Sequence, residues 1–302
     1  MIARSRRRLF MSEALSHTWA LLIHLRLHFQ LFLAPIFLWG VVLAGGEPDP
    51  RLAVAFISFH IFLYGGATAF NSYYDRDEGP VGGLAHPPPV APELLPFSII
   101  LQAIGAVLAL LVTGWFFLCY LLIFVLFTAY SHPAVRLKRS PWIGLMVVAV
   151  GQGVLAGFAG ALVQEPSPFR LSLMVGAGIV AAAIWTSGFY PITQVYQIEE
   201  DRKRGDTTFA VLVGPAATFI WAQRVMTLGG VLLIPIFLLV FGLALAVGLA
   251  FFCAGLLIWL RMWAQRYDAS RVLDNHRIVT RLQWLMTVGF LTVLCLKLAH
   301  WV

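Results

Sequence analysis

Apolar runs long enough to cross a lipid bilayer recur along nearly the whole chain of 302 residues. A transmembrane helix needs about 20 such residues, and backbone groups in lipid must bond within their own segment, which favours helices. We place nine runs, at residues 22–45, 51–74, 94–114, 116–134, 142–163, 170–195, 216–241, 243–263 and 279–301. The sequence therefore predicts an all-α polytopic membrane bundle of about nine transmembrane helices, forming a single domain over residues 1–302.

The composition excludes an ordinary soluble domain, since 60% of the residues are hydrophobic and only 12% are charged. The three cysteines, Cys119, Cys253 and Cys295, lie inside apolar runs without metal-ligand spacing, so we interpret them as small buried hydrophobic residues. The net charge of +7 is not concentrated in a basic patch interleaved with aromatic residues. We therefore expect membrane lipids, and no nucleic acid, among the partners.

The distribution of positive charge predicts how the chain is oriented. A basic N-terminal arm over residues 1–20 carries four arginines before the first run, and the loops after runs 2, 4, 6 and 8 carry most of the other basic residues. The opposite loops have little beyond Arg51, Arg170 and Lys297. The positive-inside rule then predicts an inner (plasma) membrane protein with a cytoplasmic N-terminus and a C-terminus on the opposite side.

Two polar stretches, residues 71–78 and 196–205, follow the second and sixth apolar runs on this cytoplasmic side. Together they hold six of the fourteen acidic residues. If the second helix continues through the first stretch, its spacing of four and three residues puts Asn71, Asp75 and Glu78 on one face. Similar spacing in the second stretch groups Gln197, Glu200, Asp201 and Arg204.

Oxygen ligands of this kind suit Mg²⁺, which typically uses one or two carboxylates together with substrate phosphates. The two stretches can meet over one cavity of a helical bundle. Solvated loop ends are the alternative interpretation for each stretch alone. The oxygen-bearing side chains of the two faces are therefore candidate metal ligands.

Three motifs together resemble those of the UbiA-type intramembrane prenyltransferases. They are Asn71-x-x-x-Asp75, the segment 130–138 that begins with Tyr130-Ser131, and Glu200-Asp201-x-x-x-Gly205-x-x-Thr208. The resemblance implies nine helices around a central cavity. It also implies Mg²⁺-dependent transfer of a prenyl group from a prenyl diphosphate to a lipid-soluble, often aromatic, acceptor.

The resemblance assigns roles to individual residues of this chain. Asn71, Asp75, Glu200 and Asp201 would be catalytic through the metal, which they would hold together with Asp77 or Glu78. Arg136 and Lys138 would contact phosphate oxygens, and the alternative is that they only follow the positive-inside rule. The remaining expected substrate contacts are Tyr74, Tyr130, Tyr196 and Gln197, with ordinary interfacial residues as the alternative for the three tyrosines. The chain departs from the family motifs in having Gly79 and Gln197 at positions where an aspartate is usual, and residues 86–89 replace a basic Arg-Pro element.

Two other functions compete with an active prenyltransferase. A relative that binds prenyl diphosphate without turnover would explain the two missing aspartates. A transporter would need ionisable groups near the bilayer midplane. His60 is one intramembrane candidate, with a neutral, helix-bonded histidine as the alternative, and Arg26 is predicted to snorkel to the interface.

Overall fold

Residues 18–301 are described by a computed structural model, and every regular element among them is helical. The basic arm predicted for residues 1–20 therefore lies, except for its last three positions, outside the described residues. The described helices are α1 (Leu27–Leu43), α2 (Pro50–Asp75), α3 (Leu94–Leu110), α4 (Gly114–Ser131), α5 (Pro141–Ala161), α6 (Leu173–Phe189), α7 (Ile198–Arg204), α8 (Phe209–Phe241), α9 (Leu243–Arg266) and α10 (Val272–Leu298).

The predicted all-α membrane bundle is confirmed. Eight of the helical segments in residues 18–301 are long and apolar enough to cross a membrane, and α3 is a shorter apolar helix of 17 residues. With α3 these segments coincide with the nine predicted runs, so the chain is a multi-pass membrane protein. Of the three cysteines interpreted as buried, Cys119 and Cys253 are buried, whereas Cys295 is exposed. Helix α7 is the short polar exception, because it consists of Ile198 followed only by charged residues.

Helices α1 and α5 cross closely because small residues lie at their contact. A side-chain carbon added to Gly160 would collide with the backbone carbonyl of Phe37, and one added to Gly40 would collide with that of Gly157. Small residues are the usual means by which membrane helices approach each other in lipid, where the hydrophobic effect gives little drive for association. This crossing fixes α1 against the centre of the bundle.

Helix α2 ends at Asp75, where Arg76 adopts a left-handed conformation with φ of 51°. The predicted continuation of the helix through Glu78 is therefore wrong. Asn71 and Asp75 share a face as expected, whereas Glu78 lies in a non-helical segment and is exposed. Residues 76–93 form an irregular loop with one isolated bridge between Val81 and Leu84, and this loop lies beside α7.

Candidate active site

A polar cavity of about 190 Å³ lies where the ends of α2, α4 and α6 meet the loops that follow them. Both predicted polar stretches line it, the first through Asn71, Asp75 and Asp77 and the second through Gln197, Asp201 and Arg204. The expected convergence of the two stretches is thus present in the fold. Residues that are 126 positions apart (Asp75 and Asp201) border one space.

Asp75 is the centre of the charged network around this cavity. Its side chain is only 6% exposed and forms ion pairs with Lys138 and, at 3.3 Å, with Nη2 of Arg136. Nδ2 of Asn71 donates to Oδ2 of Asp75 at 2.8 Å and to the Ser131 hydroxyl at 2.9 Å. The i, i+4 spacing on α2 therefore places the Asn71 amide against the carboxylate, as the sequence predicts.

Arg204, on α7, joins the two stretches. Its Nη1 lies 2.6 Å from Oδ1 of Asp77 and 3.8 Å from Oδ2 of Asp75, and its Nη2 lies 3.4 Å from Oδ1 of Asp201. Burial alone lowers the pKa of Arg204, but Asp77 and Asp75 outweigh that effect, so the pKa is raised. The guanidinium therefore remains charged and holds three carboxylates around one cavity.

The expectation that Arg26 snorkels to the interface is wrong. Its side chain is 5% exposed, donates to Ser72 Oγ at 2.8 Å, and lies 3.8 Å from Oδ2 of Asp77. Arg26 has a φ of 48°, a left-handed conformation that is uncommon for residues other than glycine. This break in the helix just before α1 turns the guanidinium towards the cavity, which it lines.

Arg136 forms a bidentate ion pair with Asp206, a residue that was not predicted from the sequence. Nε and Nη2 of Arg136 donate to the two oxygens of Asp206, both at 2.8 Å, and Asp206 is 2% exposed. This paired hydrogen bond raises the pKa of Arg136 despite its partial burial. Arg136 does not itself line the cavity but supports Asp75, whereas Lys138 lines it.

Asp201 is the acidic group whose titration is most altered. Burial raises the pKa of Asp201 to about 7, against the opposing effects of Arg204, of the Thr208 hydroxyl that donates to Oδ2 at 3.0 Å, and of Lys138. A carboxyl group with a pKa near neutral can be either protonated or ionised in its working range. An added cation near it would favour the ionised form.

The donor set around the cavity suits a hard divalent cation that arrives with a phosphate. Asn71, Asp75, Asp77 and Asp201 offer only amide and carboxylate oxygens, and Oδ2 of Asp77 is buried without a hydrogen-bond partner. Within residues 18–301, no three His, Cys, Asp or Glu side chains are grouped so as to hold a metal by themselves. Phosphate oxygens would then have to complete the coordination, which is how Mg²⁺ is commonly bound.

Of the three tyrosines predicted to contact substrate, two line the polar cavity and one does not. Tyr130 and Tyr196 line the polar cavity, and the Tyr130 hydroxyl lies 2.5 Å from that of Tyr190, a lining residue not identified from sequence. Tyr74 instead packs against Phe70 and His132 outside the lining. Burial raises the pKa of Tyr196, so it stays a neutral phenol.

Glu78 and Glu200 also lie outside the cavity lining. Glu78 is exposed, and Glu200 accepts a hydrogen bond from the Glu78 backbone amide at 3.0 Å. His60 is 2% exposed, stacks on Phe56 and faces the backbone carbonyl of that residue at 3.2 Å through Nδ1. His60 is therefore a helix-bonded core residue, as its alternative interpretation states.

A second, apolar cavity of about 180 Å³ continues from the polar one between α1, α6, α8 and α10. The two cavities share lining residues, namely Phe29, Leu33, Gln152, Tyr190, Thr193 and Gln283. Large aromatic side chains, including Trp39, Trp185 and Phe237, border the apolar part. The combined space therefore has one charged end and one apolar end.

Several known proteins resemble this chain. Over 181 residues, this chain is 28% identical to the digeranylgeranylglyceryl phosphate synthase of Thermococcus kodakarensis. Those residues make up 59% of this chain and 62% of that relative. The fold matches a UbiA homolog from Archaeoglobus fulgidus bound to GPP and Mg²⁺, with a TM-score of 0.65, 22% identity, and coverage of 91% of this chain and 99% of that one. An apo UbiA homolog from Aeropyrum pernix matches with a TM-score of 0.60 and 18% identity, over 88% and 98% of the two chains.

The model of the UbiA prenyltransferase family matches residues 33–285, well over half of the chain. This match includes both polar stretches and the segment that joins α4 to α5. It agrees with the helix order and with the resemblance seen in the three motifs. The chain belongs to the UbiA prenyltransferase family.

Proposed function

We propose that this protein is a Mg²⁺-dependent membrane prenyltransferase. It transfers the prenyl group of a prenyl diphosphate to a lipid-soluble acceptor. The observation that carries the proposal is a charged cavity, bordered by both acidic stretches, that opens into an apolar cavity. A prenyl diphosphate has this same division into a polar head and a hydrocarbon tail. Digeranylgeranylglyceryl phosphate synthase, a relative by sequence, supports membrane prenyl transfer for this chain as well.

Charge balance in the polar cavity supports a metal requirement. The basic side chains of Arg26, Arg136, Lys138 and Arg204 are each within 4 Å of a carboxylate. Because these cations are already paired, they offer little surplus charge to an incoming diphosphate. Asn71, Asp75, Asp77 and Asp201 would hold Mg²⁺, which when bound neutralises the diphosphate and so improves it as a leaving group. The oxygen-only character of these side chains supports this assignment.

The side chains of the chain itself orient the substrate. The carboxylate partners of Lys138 and Arg204 are the side chains that would hold Mg²⁺. With the metal on those carboxylates, Lys138 and Arg204 can donate charge-assisted hydrogen bonds to phosphate oxygens. Tyr130 and Tyr196 line the cavity, where their aromatic rings can stabilise the allylic cation that forms as the carbon–oxygen bond weakens. The apolar cavity holds the tail and keeps water from the cation, which favours transfer to the acceptor over hydrolysis.

We assign the polar cavity to the cytoplasmic side of a cell inner membrane. The basic residues of the loops that follow α2, α4, α6 and α9 supply the positive-inside signal, and these loops share the side of the membrane on which α2 ends. We further propose that residues 1–302 form one domain. Cysteines introduced at Lys203 and Gly114, in a variant whose own exposed Cys295 is replaced by serine, test the assignment with a thiol reagent that cannot cross the membrane. Labelling of Lys203→Cys in intact cells would contradict it.

The activity test uses purified protein in nanodiscs with labelled geranyl, farnesyl and geranylgeranyl diphosphates, candidate acceptors and Mg²⁺. We expect product with Mg²⁺ and none with EDTA, and a loss of at least 100-fold in Asp75→Asn, because one metal-binding charge is removed. Glu199→Gln, an exposed carboxylate on α7, is the matched control and keeps full activity. Magnesium-dependent binding of the diphosphate without turnover would support the non-catalytic relative instead.

A further inference from the structure

One face of α7 and its N-terminal cap holds the segment that follows α2. Gln197 donates through Nε2 to the carbonyl of Pro80 at 3.3 Å, and Glu200 accepts from the amide of Glu78 at 3.0 Å. Arg204 donates to the carbonyl of Asp75 at 3.3 Å as well as to the Asp77 carboxylate. These three residues are spaced by three and four positions, so they share one side of the helix.

Gly79 lies directly against the Glu200 carboxylate. A Cβ atom built on Gly79 would be 2.7 Å from Oε2 of Glu200, which is closer than Cβ contacts occur in proteins. The φ angle of Gly79 is outside the left-handed region, so its backbone conformation does not require glycine. A side chain at residue 79 would therefore displace the end of Glu200 from its present position.

We propose that Glu200 is a positioning residue that holds Asp77 in the polar cavity, and that Gly79 provides the space Glu200 needs. The peptide bond between Asp77 and Glu78 carries the amide that Glu200 accepts. Fixing that amide restricts the backbone from which the Asp77 side chain, 3% exposed, reaches Arg204 and Arg26. Glu200 itself lies outside the cavity lining, and its Oε1 is also 3.8 Å from Nη2 of Arg204. Because Arg204 in turn pairs with Asp77 at 2.6 Å, both contacts of Glu200 act through Asp77.

This inference rests on the proposed function only for its effect on ligand binding. The positioning itself is a property of the ligand-free protein, because the hydrogen bond from Glu78 to Glu200 needs no substrate. Hydrogen bonds to charged groups are among the stronger ones in proteins. Loss of this bond should accordingly be measurable as faster exchange of the amide it protects.

The first readout is amide hydrogen exchange of the full chain in nanodiscs, followed at the peptide that contains residues 76–84. We expect Glu200→Ala to speed exchange of the Glu78 amide by about tenfold or more. Gly79→Ala should give a similar increase, because the new methyl group displaces the flexible end of Glu200. Glu200→Gln keeps an acceptor oxygen and should restore most of the protection. Glu199→Ala, on the exposed side of α7, is the matched control.

The second readout is the Mg²⁺-dependent affinity for inorganic diphosphate. Glu200→Ala and Gly79→Ala should each weaken it several-fold, and the double variant should be no worse than either, since both changes remove one interaction. Additive effects, or unchanged exchange in Glu200→Ala, would overturn the proposal. If the wild type binds no diphosphate, the proposed function fails, while the exchange data still decide the positioning role. Unchanged exchange within α9 shows that the variants are folded.

Discussion

The buried pair between Arg136 and Asp206 gives the most quantitative prediction, for the substitution Asp206→Asn. Asp206 is 2% exposed, and both of its oxygens accept from Arg136 at 2.8 Å. Removing one partner of a buried ion pair costs about 3–5 kcal/mol, because the other charge stays buried without its counter-charge. Arg136 retains Asp75 at 3.3 Å, so the cost should fall at the lower end, about 3 kcal/mol.

The assay is the free energy of unfolding, measured by SDS titration in mixed micelles. A loss of about 3 kcal/mol corresponds to a change of roughly 150-fold in the folding equilibrium. Glu199→Gln removes an exposed partner of Arg202 and should change stability by less than about 1 kcal/mol. A loss below about 1 kcal/mol for Asp206→Asn would refute the reasoning, because it would mean that Arg136 does not depend on its bidentate partner.

Four further predictions concern pH, packing and substrate length. Since the pKa of Asp201 is about 7, Mg²⁺-dependent diphosphate binding should weaken below that pH. Because diphosphate also takes up protons in this range, the comparison that isolates Asp201 is with Asp201→Asn, whose pH dependence should be shallower; equal slopes for the two proteins would contradict this. The raised pKa also links Asp201 to stability, because between about pH 4 and 7 the folded, ligand-free protein keeps a proton on Asp201 that the unfolded chain loses. The unfolding temperature at constant salt should therefore fall as pH rises through this range. Gly160→Ala should lower the free energy of unfolding by about 1–3 kcal/mol in SDS titration, because the added methyl group meets the Phe37 carbonyl. Gly176→Ala is the control, since its methyl group would meet no other atom. Equal effects of the two substitutions would contradict the close crossing of α1 and α5. Trp39→Ala enlarges the apolar cavity and should shift preference towards longer prenyl diphosphates in competition assays, and an unchanged preference would place the tail elsewhere.

Much of the fold follows from the sequence because lipid permits few backbone arrangements. The apolar runs predict the helices, and the i, i+4 spacing predicts that Asn71 meets Asp75, as it does at 2.8 Å. The spacing in the second stretch likewise predicts that Gln197 and Arg204 share a face. Local periodicity was sufficient for these features, because each depends on one helix.

The features that were not predicted depend on contacts between distant parts of the chain. Asp206 meets Arg136 across 70 positions, and Arg26 meets Ser72 across 46. Glu78 was assigned to the metal site because α2 was expected to continue, but a left-handed arginine at residue 76 ends the helix. Arginine is not a usual residue for this conformation, so the sequence did not mark residue 76 itself as the helix end. The Gly79-Pro80 pair three positions further on indicates only that the helix stops nearby.

The account rests on both acidic stretches serving one metal and one diphosphate. The most direct measurement is anomalous X-ray diffraction from crystals grown with geranyl diphosphate and Mn²⁺ in place of Mg²⁺. We expect a manganese peak in the polar cavity, bonded to diphosphate oxygens and to carboxylates from both Asp75 or Asp77 and Asp201. A metal held by one stretch alone, or a diphosphate bound away from this cavity, would contradict the account.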